Sequence, residues 1–367
     1  PTRVMSHLSI GTSTVYGMAG ISRASFGPFH DDSAVISEQT PFAGHFQFTY
    51  HTKHLNFQTL YMPLSASNDY GNGSYPGKHL MFHSIHYSPL RWLTVGFFES
   101  VVWGGRIEPL YFIPFISFFT AQGLTGFEDN SFIGLSLHVR PFKGLSIPIQ
   151  VYFDDVHFND LVRFEFDTKY KLALQGGIRW YPDLGFLDSL SVTYLAVMPY
   201  TYAHWDERPR PANPVQVNYS NYTHRGTNIG PGLPPNSDRL TLDYTLEPIR
   251  NLTVTFRGRM IRHGNASEGI IPWGDGSLWD PGYIDSTPTF QPPFDDLDGQ
   301  PYTRFLTQDI LEVHWQAGCT AGFTLGFKKI GANLLFSARY LFDYVQNEGF
   351  LPGETYYHYF SLTTEFR

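Results

Sequence analysis

The chain has 367 residues, of which 17% are aromatic and only 16% charged, and its formal net charge is −8. Ordinary soluble domains carry about a quarter charged residues, and an acidic balance excludes a phosphate-tracking nucleic-acid binder. The single cysteine, Cys319, excludes internal disulfides and cysteine-rich metal sites. With a mean hydropathy of −0.21 and no run of about 18 apolar residues, helical membrane spans are excluded too.

In chain order, the segments alternate. The chain opens on Pro1, not on a start residue, which reads as a processed or truncated beginning. "TVYGMAGISRAS" forms a strand before the first long loop. "GHFQFTYH" follows, with His45, Gln47 and His51 on its polar face. "LTVGFFESVV" loses its phase around Gly96, which reads as a bulge. "FIGLSLHVR", "LSIPIQVYFD" and "KYKLALQGGIRWY" keep period two, as do "RLTLDYTLE" and "LTVTFRGRM". "ILEVHWQAGCTAGFTLGF" is the longest, sending Trp315, Cys319, Ala321 and Phe323 to one face. "NLLFSARYLFDY" and the terminal "YYHYFSLTTEFR" complete the series. The polar faces carry Gln, Thr, Ser, Gly and His with charges of both signs, as in a crowded lumen.

Short links such as "HTKH", "SPLR", "PFKG" and "EPIRN" alternate with long ones near 26–43, 65–77, 103–130, 154–168, 203–237, 262–304 and 345–354. Short turns at one end and long loops at the other are the pattern of transmembrane barrels. The expected fold is therefore all-β: one antiparallel up-and-down barrel domain over 1–367. It would have about 14 strands, with about 16 to 18 if the long loops hide hairpins. Long loops would be extracellular and short turns periplasmic, in a bacterial outer membrane. The apolar run "PLYFIPFISFF" in loop 103–130 is expected to fold inward and constrict the pore, or else to pack against the outer leaflet.

Two stretches carry a family resemblance. "ISRASFGPFHDDSAVISEQTPFAGHFQF" (21–48) and "HSIHYSPLRWLTVGFFESVVWGGRIEPLYFIP" (83–114) resemble the Arg/Gly-Pro segment and the Gly-Phe-x-Glu, Gly-Arg and Pro-Tyr run of Wzi-type capsule-assembly outer-membrane proteins. The motifs lie in the first third of the chain; the remainder agrees in architecture. The resemblance implies an eighteen-strand barrel with an N-terminal periplasmic helical portion, acting as a surface lectin that anchors capsular polysaccharide. This chain shows no helical N-terminal segment and is short for eighteen strands.

Arg23, Glu99 and Arg106 fall in the family motifs, either as anion-binding groups or as a salt-bridge network bracing loops inside the barrel. For a glycan, loop aromatics are the better candidates, because sugar rings stack their C–H faces on aromatic planes. Tyr202, Trp205, Tyr219 and Tyr222 share one loop; Trp273, Trp279 and Tyr283 share another. Asp206, Arg208, Asp275 and Asp280 stand near them to bond hydroxyls. The Asp295, Asp296, Asp298 turn lacks the full calcium-loop pattern and reads as solvated. No nucleophile elbow, phosphate loop or paired-His helix occurs, so the reading is non-enzymatic, without cofactor or metal. The expected partners are the outer-membrane bilayer, capsular or other surface polysaccharide, and other surface proteins, with no nucleic acid. The leading function is polysaccharide binding or organisation; the alternatives are a porin or substrate channel, or the membrane anchor of a larger surface assembly.

Overall fold

Period-two alternation becomes register in a long antiparallel sheet, seen in a computed structural model. The structure describes residues 5–29, 32–67, 69, 72–126, 129–155, 171–182, 184–203, 217–264, 305–327 and 332–366. The sheet begins with β1 (Ser6–Gly11), β2 (Val15–Ser22), β3 (Ala43–His51), β4 (Leu55–Ser65) and β5 (Gly77–Leu90). It continues through β6 (Leu93–Gly104), β7 (Asn130–Val139), β8 (Leu145–Asp155), β9 (Lys171–Trp180) and β10 (Leu187–Val197). A small hairpin, β11 (Thr223–His224) and β12 (Thr227–Asn228), stands apart in the next connection. The sheet resumes with β13 (Ser237–Ile249), β14 (Leu252–Gly264), β15 (Leu311–Phe327), β16 (Ala332–Gln346) and β17 (Glu354–Phe366). Each strand pairs with its neighbours in chain order, giving 15 strands in one sheet among the described residues.

That is one more than the count read from the sequence. The addition is β1, where "SHLSIG" offers only Leu8 and Ile10 as apolar members. Short turns and long connections sit at opposite ends, as expected.

Register assigns the two faces. Phe46 lies opposite Tyr61, Tyr61 opposite Met81, and Met81 opposite Val101, forming one row on the outer face. Across the other half, Phe256, Cys319, Tyr340 and Phe360 form a second outer row. Leu60, Phe82, Ser100 and Phe132 make an inner row. A single hydrophobic cluster on the inner face takes residues from every strand from β3 to β10, with Ile261 of β14 packed against it. A flat sheet would spread these strands over about 40 Å, so the sheet curls round its contents.

The bulge expected at Gly96 is absent: β6 pairs with β7 without interruption from Leu93 to Val102. The apparent loss of phase has another cause. Phe98 and Val102 point into the filled interior, while Glu99 points outward, so the usual polar-in, apolar-out code is locally reversed. Gly96 itself is required by close approach, since a Cβ there would collide with Ser136 and His86.

Candidate functional site: a filled interior and an outer strap

The interior of β3–β10 is filled by the chain's own connections. Phe26, from the first long connection, packs its ring 4.5 Å from Phe82 and 5.1 Å from Phe98, centroid to centroid. Tyr202 stacks on Tyr222 at 5.6 Å, and Phe132 stacks on Tyr152 at 4.9 Å. Burial raises the Tyr202 and Tyr222 phenols above their ordinary pKa, so both stay protonated. The Tyr202 hydroxyl donates to the Ala34 carbonyl at 2.5 Å, tying the fifth long connection to the first.

Buried polar groups must find partners, and here they stitch the connections together. The Ser37 N–H donates to the Ile229 carbonyl at 2.9 Å, and Thr40 Oγ1 donates to the same oxygen at 2.8 Å. Gln175 receives the Ala34 N–H and donates to the Asp32 carbonyl, both at 2.9 Å. Asn130 Nδ2 donates to the Ser220 carbonyl at 3.0 Å. Fully buried Lys78 donates to both the backbone and the side-chain oxygen of Asn221, while Arg239 pairs with Asp32. His224 Nδ1 accepts the Ser65 N–H at 3.0 Å and Nε2 faces the Phe42 carbonyl at 3.4 Å. Burial lowers its pKa to about 4, so the imidazole is neutral near pH 7.

The inner face of β13–β16 differs. Arg257 makes a two-pronged contact with Asp243 at 2.5 and 3.0 Å. His314 lies between Asp343 at 3.1 Å and Glu312 at 3.2 Å, and Gln316 donates to Asp343 at 3.0 Å. This is a mixed-charge wall whose groups neutralise one another.

Loop 103–130 does not fold inward. Its 3-10 turn (Pro109–Phe112) and α1 (Phe118–Thr125) lie on the outer face. There Tyr111, Phe118 and Ala121 cluster with Met81, Val101 and Trp103, all on the outward register. Trp103 and Tyr111 rings stand 4.9 Å apart, and His83 and Phe118 rings 4.2 Å apart. The apolar run is thus hidden only in part: Ile113, Phe115 and Phe119 remain exposed. This segment, 105–126, is a strap across the outside of the wall.

Two carboxylates hold the strap. Glu99, 2% exposed, accepts from Phe118 N–H at 2.9 Å, Ser117 Oγ at 3.1 Å and His83 Nε2 at 3.1 Å. Asp129 receives Arg106 in two-pronged fashion at 3.0 and 2.5 Å, and the Tyr111 hydroxyl at 2.6 Å. Burial, then the bond to Asp129, pushes the Tyr111 phenol up.

Of the motif residues, Arg23 donates to the Glu38 carbonyl at 3.0 Å and covers the Phe42 ring, bracing the first long connection. Arg106 braces the strap. Glu99 does not point into the lumen, because its register places it outward beneath α1. Among the proposed sugar-stacking residues, Tyr202, Tyr219 and Tyr222 are wholly buried in the interior filling and offer no outer face. Trp205, Asp206, Arg208, Trp273, Asp275, Trp279, Asp280 and Tyr283, and the Asp295–Asp298 turn, lie outside the described residues. His45, Gln47 and His51 share the inner face of β3 as read. Sequence reasoning missed the Lys78–Asn221 contact; a lone Lys opening a strand with no other Lys, Arg, Asp or Glu was its only signal.

No protein-family model matches the sequence, and neither does any curated protein. Among solved structures, the chain is similar to Wzi from Escherichia coli, with TM-score 0.57 and 12% identity over 96% of this chain and 67% of Wzi. Wzi is described as an outer membrane protein involved in group 1 capsule assembly and as a carbohydrate-binding β-barrel. OprD from Pseudomonas aeruginosa gives TM-score 0.49 and 10% identity over 96% of this chain and 76% of OprD. OccK5 (OpdH) from the same organism gives 0.49 and 12% over 100% and 81%. At these identities the likeness to Wzi establishes fold: the chain is built as outer-membrane β-barrel proteins are, from one up-and-down antiparallel sheet curled round its contents.

Proposed function

We propose that this chain is a single bacterial outer-membrane barrel domain, with its long connections at the cell surface and its short turns in the periplasm. It works as a membrane-anchored surface platform and not as an open diffusion pore. The observation that carries this reading is the filled interior, where connections cross the inside and close polar bonds with β4, β5, β7 and β9. Outer rows such as Phe256, Cys319, Tyr340 and Phe360 support contact with lipid.

The ligand class we propose is capsular or other cell-surface polysaccharide, as Wzi is described to bind carbohydrate. Trp205, Trp273, Trp279 and Tyr283 would stack on sugar rings while Asp206, Arg208 and Asp280 bond hydroxyls. The test is Trp205→Ala with Trp279→Ala, assayed for binding of purified surface glycan, with heat-modifiable gel mobility as the folding control. Weaker binding by the double variant supports the reading; equal binding refutes it.

A second reading, a substrate-selective channel, is favoured by the mixed-charge wall of β13–β16, where the Arg257 and Asp243 side chains stay 34% and 23% exposed. Planar-bilayer recording separates the two. A large, stable single-channel conductance supports the channel, and its absence supports the platform.

A further inference from the structure

The strap leaves a cleft between itself and the outer wall. Its floor is Phe48, Thr59, Met81 and His83, all outward-facing, and its cover is the run from Tyr111 to Phe115. The cleft has a volume of about 590 Å³. It shares Phe48, Thr59, Met81 and Phe112 with a second cleft of about 640 Å³ that reaches Leu8 and Ile10 on β1. Together they form a long apolar groove running sideways along the wall.

We propose that this groove holds one acyl chain of an outer-leaflet membrane lipid; the proposal rests on the outer-membrane reading above. Four observations favour an alkyl chain. Among the described residues no Asp, Glu, Lys or Arg lines either cleft, and the one imidazole at the floor already has its Nε2 engaged by Glu99, so a charged headgroup would find no counter-ion. The groove is continuous with the outer rows that face lipid on this reading. It is preformed, because the Glu99 carboxylate and the Arg106–Asp129 pair fix the strap at both ends. Finally, Phe115 sits at φ 65° with its ring 4.3 Å from Phe57, a backbone region that bulky residues adopt only when packing holds them there. That ring walls one side of the groove.

The test uses the full chain in phosphatidylethanolamine vesicles doped with a phosphatidylethanolamine carrying a diazirine in its acyl chain. After irradiation, peptide mapping compares label on the groove floor with label on the open wall at Leu242, Phe256 and Trp315. The groove should be labelled about tenfold more strongly. Thr59→Trp, filling from the floor, and Ile113→Trp, filling from the cover, should each bring it down to the level of the open wall while heat-modifiable mobility is kept. Equal labelling of groove and open wall would overturn the proposal and leave the outer-membrane reading standing. Labelling of neither would overturn that reading itself. Displacement of the label by equimolar palmitate would overturn the assignment to a membrane lipid in favour of a free fatty acid.

Discussion

Glu99→Ala should release the strap without unfolding the barrel. The carboxylate is buried and accepts three bonds, from Phe118 N–H, Ser117 Oγ and His83 Nε2, at 2.9, 3.1 and 3.1 Å. Hydrogen bonds to a charged group contribute about 1.5–3 kcal/mol each, but three bonds on one carboxylate do not add. Truncating one member of a buried charged set costs about 3–5 kcal/mol. A cost near ~3 kcal/mol raises the opening constant roughly 150-fold. The loss should be local, since the strap's cluster with Met81, Val101 and Trp103 is separate from the interior cluster. Glu99→Gln should be far milder, at about 1 kcal/mol. Its amide oxygen, standing where Oε2 does, keeps both the Phe118 N–H and His83 Nε2–H, and the amide nitrogen in place of Oε1 donates to the Ser117 hydroxyl. Hydrogen exchange over 105–126, in micelles, reads both variants. Unchanged exchange in Glu99→Ala, or acceleration spread over the whole sheet, would refute the reasoning.

Ala321→Arg places a charge on the outer face between Val254 and Ala338. It should cost about 2–4 kcal/mol in urea-driven refolding into vesicles, and no cost would remove this face from lipid. Tyr202→Phe loses one buried donor and should cost about 1 kcal/mol, whereas Tyr202→Ala also empties the aromatic cluster and should cost about 3–5 kcal/mol; equal costs in the same refolding assay would mean the ring is not packed. The neutral His224 gives a pH signature. Its pKa is lowered by burial from 6.5 to about 4, so its stabilisation is complete above pH 6.5 and is lost as pH falls toward 4. Amide protection over 217–236, taken relative to the intrinsic exchange rate at each pH, should fall across that window, and His224→Gln should flatten the response; a pH-independent protection in the parent would contradict the assignment.

Much of the sheet was legible because alternation is a local property. In β15, the set Trp315, Cys319, Ala321 and Phe323 is outward by register, as the sequence predicts. β1 escaped because two apolar residues in six do not make a pattern. The strap and the interior filling escaped for a different reason. Glu99 faces outward only because residues about twenty positions later cover it, and Tyr202 is buried only because Ala34, 168 residues away, receives its hydroxyl. Both are contacts between distant connections, and aromatic loop residues carry no local signal that separates a sugar platform from a packed plug. The phase slip around Gly96 was the visible trace of both: inner Phe98 and Val102 serve the filling, while outer Glu99 serves the strap.

On the outer-membrane reading the outer face meets lipid while the inner face is filled, and the chain carries its own probe. Cys319 is the only cysteine and lies on the outer face, level with Phe256 and Tyr340. A nitroxide attached to Cys319 in reconstituted vesicles should collide more often with dissolved oxygen, which concentrates in hydrocarbon, than with a water-soluble nickel chelate. More frequent collision with the chelate would place that face in water and contradict the account.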